Sequence, residues 1–287
     1  MRTLSKRKKV YTLSSETPPA YEVEVGETFV VQTQDAMDGQ IPAEGRCVAE
    51  VDDERANPMT GPIRVRSTER GQTLAIHLLD IAVDERGWMS RSPSGLVNPV
   101  KENLVQFVPG VRLPIRPMIG VLGLAPSEGS YTGKDVTMSG GNFDIKEFAA
   151  GTTVFMPVQV DGANVVVGDV HALQADGESS GTGVEIGADV SLRVEVLDEG
   201  LVDAPYFYRQ GILSTVGVAP DLTRACEMAV GNLARIVSEA SGWERDRSWM
   251  FLSLMADVHV GQFVCPIKSA YASLDLCSVP WPIHVGV

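Results

Sequence analysis

Residues 138–186 read MSGGNFDIKEFAAGTTVFMPVQVDGANVVVGDVHALQADGESSGTGVEI. A glycine pair and an acid open this stretch, Gly140-Gly141-Asn142-Phe143-Asp144. Gly168-Asp169-Val170-His171 and then Asp176-Gly177-Glu178 close it. Two apolar runs lie between, 153–160 and 164–167, split by Asp161-Gly162. Asp-Gly between β-rich runs is a strong hairpin signal, so the spacing predicts a hairpin that brings the two ends together. Asp144, Asp169, His171, Asp176 and Glu178 then converge on one small volume. Four carboxylates and an imidazole that close repel one another unless a cation or protons sit among them, which points to a metal site.

Upstream, residues 20–34 alternate apolar and polar positions and predict two strands around Gly26. Residues 35–61 are acid- and glycine-rich and read as a long loop of the kind that carries function. Residues 63–83 predict a further pair of strands with a turn near 69–72, and the proline-rich piece 109–126 reads as an edge strand or ordered coil. Strands return at 153–160, 164–170 and 183–197. After Pro220 the period changes. Asp221 is a candidate N-cap, apolar residues recur at Leu222, Ala225, Ala229, Leu233, Ile236, Val237 and Ala240, and Gly242 fits the stop. A second helix is expected over 246–256, with Trp249, Leu252 and Met255 on one buried face, and a final strand over 258–265. The expected fold is mainly β, a sandwich or distorted barrel over 1–200 carrying the metal site, with a smaller α/β portion over 201–287 that contains two helices and packs on the core.

Composition narrows the function. The net charge of −13 argues against nucleic acid and anionic membrane as partners and favours a neutral substrate. No apolar run is long enough for a membrane helix, and the basic start Met1–Lys9 has no apolar core behind it, so it is not read as a signal peptide. Cys47, Cys226, Cys265 and Cys277 are scattered without a CxxC pair and read as reduced cytoplasmic thiols that serve packing.

The ordered pieces GGNFD, FMPVQV, GDVHALQADGE and GTGVEI resemble the acetamidase/formamidase family. VQTQD at 31–35, DGQ at 38–40, NPMTGPI at 57–63, RPMIG at 116–120 and MFLSLMAD at 250–257 extend the similarity over most of the chain. Two positions depart from the family pattern: Ser139 stands where a His is usual, and Ala175 where a Gly is usual. The resemblance implies a jelly-roll-like β core, a homodimer or larger homo-oligomer, and hydrolysis of a small linear amide to carboxylate and ammonia. A γ-lactam or other small cyclic amide is a close variant that Ser139 leaves room for. The resemblance raises His171 and Asp35 to metal ligands beside Asp144, while Glu178, one reach beyond the Asp176-Gly177 turn, is with Asp176 the candidate for the acid/base work that amide hydrolysis needs. Ser139, Gly141, Asn142 and Gln174 are assigned to substrate contacts. Imidazole with carboxylates suits Zn²⁺ first, whereas a carboxylate-rich site would suit Ca²⁺ or Mg²⁺. The rival readings are a non-catalytic metal- or ligand-binding sandwich and a serine amidase built on Ser179-Ser180-Gly181.

Overall fold

The computed structural model describes residues 1–42, 51–91 and 94–286. Cys47 lies outside the described residues. Two large sheets face each other across one apolar core. The nine-stranded sheet runs in the order Arg2–Leu4, Thr28–Thr33, Ala188–Leu197, Thr73–Val83, Thr153–Pro157, Tyr206–Arg209, Ile212–Ala219, Lys268–Asp275, Ala256–Gln262. The seven-stranded sheet is built on Val136–Thr137, Gly140–Asn142, Met118–Gly123, Val165–His171, Met59–Val65 and Lys9–Val10, with Tyr21–Val23 parallel to Met59–Val65. Strand alternation explains the seam: Phe29, Val31, Leu74, Ile76, Val190 and Leu192 point inward from one sheet and meet Ile63, Val65, Ile119, Leu122, Val165 and Val167 from the other, all essentially without solvent contact. A four-stranded sheet of Arg86–Arg91, Ser94–Lys101, Leu104–Val108 and Val111–Pro114 projects beside them.

The expected hairpin is not there. Thr153–Pro157 pairs with Thr73–Val83 and Tyr206–Arg209, while Val165–His171 pairs with Met118–Gly123 and Met59–Val65, so the two runs belong to different sheets. The Asp-Gly segment is a crossover. Gly162, Ala163 and Asn164 all take positive φ; the Arg70 N–H donates to Asp161 Oδ1 at 3.0 Å and the Val65 N–H to the Gly162 carbonyl at 2.9 Å, so the turn is tied to the end of Met59–Val65 and the loop after it and does not join the two runs as a hairpin. The pair expected within 63–83 is likewise split, because Met59–Val65 and Thr73–Val83 lie in opposite sheets. Met118–Gly123, expected at an edge or in coil, is a central strand buried along its whole length. Its flanking prolines, Pro117 and Pro126, stay outside the ladder and only bound it.

Helices α1 (Leu222–Ser241) and α2 (Arg245–Met255) follow the expected spacing. Asp221 caps α1 by accepting from the Arg224 N–H at 2.9 Å, and Gly242 ends it in the left-handed region at φ 70°. Leu233, Ile236 and Val237 bury against Phe155, Leu213, Ala272 and Leu274. The helix comes close because Gly217 in the strand beneath has no side chain; an added Cβ would stand 2.6 Å from the Ala229 nitrogen. On α2 only part of the expected face is covered: Leu252 is buried, but Trp249 and Met255 stay 38% exposed. The strand expected over 258–265 is Ala256–Gln262, and a further strand, Lys268–Asp275, pairs on both sides between it and Ile212–Ala219. Pairing of Thr153–Pro157 with Tyr206–Arg209 carries the nine-stranded sheet across residue 200 without a break.

Candidate active site

Gly140–Asn142 and Val165–His171 flank Met118–Gly123 and both run antiparallel to it; Asn142 stands opposite Val121, level with Gly168, so the residues that follow each lie toward the same end. Asp144 follows the first strand, and Asp169 and His171 end the second. Gly120 lies between them. A Cβ built there would stand 2.6 Å from Asp144 Oδ1 and 2.9 Å from Asp169 Oδ2, so the two carboxylates occupy the space that a side chain would take. Glu178 reaches the same volume from the following loop, and Glu185 from the segment that bridges to both Trp88 and His171. One donor atom each from Asp144, His171 and Glu178 lie within 4.8 Å of one another, and so do those of Asp169, His171 and Glu185. Asp144, Asp169, Glu178 and the adjacent Asn57 all hold positive φ between 47° and 52°, a concentration of strained backbone at one place.

The tautomer of His171 follows from its neighbours. Gln174 Nε2 donates to the Asp144 carbonyl at 2.7 Å, an oxygen that can only accept, so Gln174 Oε1 faces His171 Nδ1 at 2.6 Å. Nδ1 therefore carries a proton and donates it. Nε2 is left pointing at Glu185 Oε2, 3.0 Å away, and Asp169 Oδ1, 3.6 Å away. Asp169 Oδ2 is held by the Asn57 side-chain amide at 3.0 Å, and Glu185 Oε1 by the Gly183 N–H at 3.0 Å. Among the described residues the remaining atoms, both oxygens of Asp144, Asp169 Oδ1, Glu185 Oε2 and His171 Nε2, have no hydrogen-bond partner although all are buried. So many inward-facing lone pairs without a donor are tolerated only around a cation or shared protons.

Protonation energetics say the same. Burial pushes Asp144 well above the ordinary carboxylate range, and the charges of Glu178 and Asp169 push it further. Burial also raises Glu178 to about 7 and Glu185 to about 8, each offset in part by His171. For His171, burial alone would lower the value, but the charges of Glu185 and Asp169 outweigh it and hold the ring well above its usual range. A divalent ion would remove the need for these protons, so imidazole Nε2 with the carboxylates of Asp144, Asp169 and Glu185 fits such an ion.

A cavity of about 400 Å³ opens in front of the cluster. Asp169, Glu178 and Glu185 line it together with Asn142, whose Oδ1 is buried and unpartnered among the described residues. Ala36, Met37, Trp88 and Val264 supply apolar wall, and Lys134, ion-paired with Asp53 at 2.7 Å, stands beside them. Cys265 also faces in. Burial first, then the charges of Asp144 and Glu178, push its thiol up to about 12, which rules it out as a thiolate nucleophile at neutral pH. A larger groove of about 1050 Å³ beside Asp80–Glu85 contains no member of the cluster.

The sequence profile of the acetamidase/formamidase family matches residues 12–90 and 133–276. An acetamidase from Bacillus halodurans, known from its crystal structure, is 33% identical and superposes with a TM-score of 0.94 over 99% of this chain and 100% of that one. The chain belongs to the acetamidase/formamidase family. A predicted acetamidase/formamidase from Thermoanaerobacter tengcongensis is similar as well, at 32% identity and a TM-score of 0.92 over 95% of both chains. The acetamidase of Mycolicibacterium smegmatis is 25% identical, in a match that covers 64% of this chain and 64% of that protein. This chain spans less than two thirds of the length of the curated relatives it matches.

Of the family residues singled out in the sequence, the structure brings Asp144, His171 and Glu178 together. Asn142 borders the same cavity, and Gln174 touches His171 from behind. It does not bring Asp35 there. That carboxylate accepts from the Trp88 indole at 3.0 Å, the Gly39 N–H at 2.9 Å, the Met37 N–H at 3.1 Å and the Gln34 side chain at 3.3 Å, so it shapes the loop that carries Ala36 and Met37. Asp176 points away from Glu178. It pairs with Lys146 at 2.9 Å and His259 at 3.4 Å, with the Tyr271 hydroxyl at 3.4 Å. Neither Ser139 nor Gly141 lines the cavity: Ser139 is buried in the turn before Gly140–Asn142, its N–H donating to Thr137 Oγ1, and Gly141 packs against Asp135 where a Cβ has no room. Asp169, expected in the cluster, lies there beside His171, whereas Glu185 and Asn57 enter the site without having been assigned to it. A signal for Glu185 was present, since an acid between Val184 and Ile186 on a strand-like pattern must face either solvent or a buried partner.

Proposed function

We propose that the protein hydrolyses the carbon–nitrogen bond of a small linear amide, acetamide- or formamide-like, with water, giving a carboxylate and ammonia. The observation that carries this is the His171–Gln174 pair, which leaves Nε2 bare among orphaned carboxylate oxygens at the floor of a cavity. Asp144, Asp169 and His171 would hold a divalent ion, Zn²⁺ by the imidazole-plus-carboxylate set, with Glu185 completing it. When bound, that ion supplies Lewis acidity toward the amide carbonyl and a lowered pKa for water.

The chain's own residues supply the rest. Glu178 stands in the cavity wall, and burial raises its carboxyl above the ordinary range in the metal-free fold. As carboxylate it takes a proton from the attacking water, and as acid it returns one to the departing nitrogen, which otherwise would have to leave as an amide anion. Asn142 Oδ1 accepts an N–H of the substrate and so orients the amide across the cavity. The Met37, Trp88 and Val264 walls limit bulk water around the reacting carbonyl. Gln174 keeps His171 in the one tautomer that offers Nε2. The working form is a cytoplasmic homodimer or larger homo-oligomer, for which exposed Met250, Leu254 and Val258 offer apolar surface.

Ammonia release from formamide and acetamide, measured with the native metal content, after chelation and after restoring metal, tests the reaction. Activity that disappears on chelation and returns with Zn²⁺ is expected. Activity that survives complete metal removal would eliminate the metal centre and favour a serine mechanism. No ammonia from any amide of a panel, at full metal occupancy, would leave a binding module.

A further inference from the structure

Asn57 stands just before the strand Met59–Val65 and meets three separate parts of the chain at the cavity wall. Its backbone N–H donates to the Ala36 carbonyl at 2.7 Å. Its side-chain Nδ2 donates to the Gly133 carbonyl at 3.2 Å and to Asp169 Oδ2 at 3.0 Å. A carbonyl oxygen can only accept, so the Asn57 amide has one orientation, with Nδ2 toward both oxygens. The backbone is held as firmly. Asn57 sits at φ 47°, a region that Asn and Gly enter more readily than other residues. A Cβ on Gly133 would strike the Asn57 carbonyl and one on Gly168 the Pro58 carbonyl, so the Asn57-Pro58 segment is clasped on two sides.

That clamp decides which oxygen Asp169 presents. With Oδ2 tied to Asn57, Oδ1 is the one turned to His171 Nε2, 3.6 Å away, and it has no hydrogen-bond partner among the described residues. Asp169 is buried, so its carboxylate is oriented by these protein contacts. A carboxylate that offers one oxygen suits a small ion in tetrahedral coordination, such as Zn²⁺. Ca²⁺ is larger, gathers more oxygens and often takes both atoms of one carboxylate. We propose, on the reading of the cluster as a cation site, that Asn57 is a positioning residue that sets the ion preference: by withholding Asp169 Oδ2 it favours Zn²⁺ over Ca²⁺.

The test uses the full chain stripped of metal, with Zn²⁺ and Ca²⁺ each added alone as probes. Asn57→Gly keeps the positive φ accessible and removes the side-chain donor. Competition with chelators of known affinity should show Zn²⁺ bound about 10–100-fold more weakly than by the wild type, the usual effect of losing a partner behind a metal ligand. Ca²⁺ affinity should hold or rise, so the ratio of Zn²⁺ to Ca²⁺ affinity falls. A role confined to folding would shift both ions alike or neither. A crystal of the wild type with Zn²⁺ gives an independent reading: Asp169 Oδ1 alone on the ion, with Oδ2 still on Asn57. Equal losses for the two ions, unchanged Zn²⁺ affinity, or both oxygens of Asp169 on the ion in the wild type would overturn the role of Asn57 and leave the cation site standing. A wild type that takes up neither ion would overturn the cation site and this role with it. Should Asn57→Gly fail to fold, the wild-type crystal still decides between one oxygen and two.

Discussion

Asp176 and Glu178 stand two residues apart in one Asp-Gly-Glu turn, yet they meet opposite fates. Asp176 keeps 30% of its side chain exposed and is ion-paired with Lys146, with His259 Nδ1 3.4 Å away. Glu178 is buried at positive φ, forms no ion pair with a Lys or Arg among the described residues, and is raised to about 7. Gly177 makes the divergence possible: at φ 88° it turns the chain over, and its N–H and C=O are tied to the strand Ala256–Gln262 and its continuation. The lesson is that a carboxylate becomes chemically useful here by being denied a counter-charge. An ion pair turns the same residue type into structure.

The contrast is sharpest in the pair of amides that remove each charge. Glu178→Gln keeps shape and one acceptor but cannot carry a proton, so it should retain metal and lose roughly 10²–10⁴-fold in kcat. Asp176→Asn should change kcat by no more than a few-fold. Metal content by elemental analysis alongside steady-state rates checks both. A Glu178→Gln protein stripped of metal would make Glu178 a ligand, and equal losses in the two variants would erase the distinction.

The next effect is on stability alone. Leu233 is fully buried between α1 and the sheet, remote from the cluster. Leu233→Ala should destabilise by about 2–5 kcal/mol, with kcat near wild type well below the melting temperature. Denaturant melts and rates on the same preparation test this; a drop in kcat at unchanged stability would mean that the helices shape the site. A smaller effect is expected behind the metal. Gln174→Leu frees His171 to choose the other tautomer and should weaken metal affinity by about 10–100-fold while leaving the protein folded. Competition with a chelator of known affinity reads it directly, and unchanged affinity would remove Gln174 from the positioning role.

What could be read from the sequence divides along the same line as the two acids. Helix α1 was legible because its cap, period and stop are local signals, all within 221–242. The convergence of Asp144, Asp169, His171 and Glu178 was legible too, though through the wrong geometry. A strand from elsewhere, Met118–Gly123, joins the two ends, and no hairpin does. Which sheet a strand enters depends on long-range pairing, and the Asp-Gly signal reports only a turn. Asp35 resembles a motif acid, but Gln34, Met37 and Gly39 of its own turn donate to it, and so does the Trp88 indole, which only the fold brings there. Glu185 and Asn57 escaped for the reverse reason: each sits in an unremarkable local context and becomes part of the site through contact with His171 or Asp169.

The smallest expected effect is a pH dependence of stability, and it separates the unpaired cluster from every paired acid in the molecule. Asp144, Glu178 and Glu185 all sit above their ordinary values in the fold, so folding favours their protonated forms. His171 is raised as well, and folding favours its protonated form too. For each of these groups the stabilisation is present below the unfolded-state value and is lost as pH climbs through the folded-state value. In chelated protein the melting temperature should therefore fall between about pH 6 and pH 8, the interval that spans Glu178 at about 7 and Glu185 at about 8. Asp38 has the opposite sign. Burial works against its charge, but Lys9, Arg55 and Tyr11 together lower its value, and its contribution is lost only in acid, well outside this interval. Restoring Zn²⁺ should flatten or invert the trend, since ligands must be deprotonated to bind and affinity rises with pH. Thermal melts at fixed ionic strength from pH 6 to pH 8, with and without metal, make the comparison. A melting temperature of the chelated protein that rises across that interval would mean the carboxylates are already paired in the fold, and the case for a cation among them would fail.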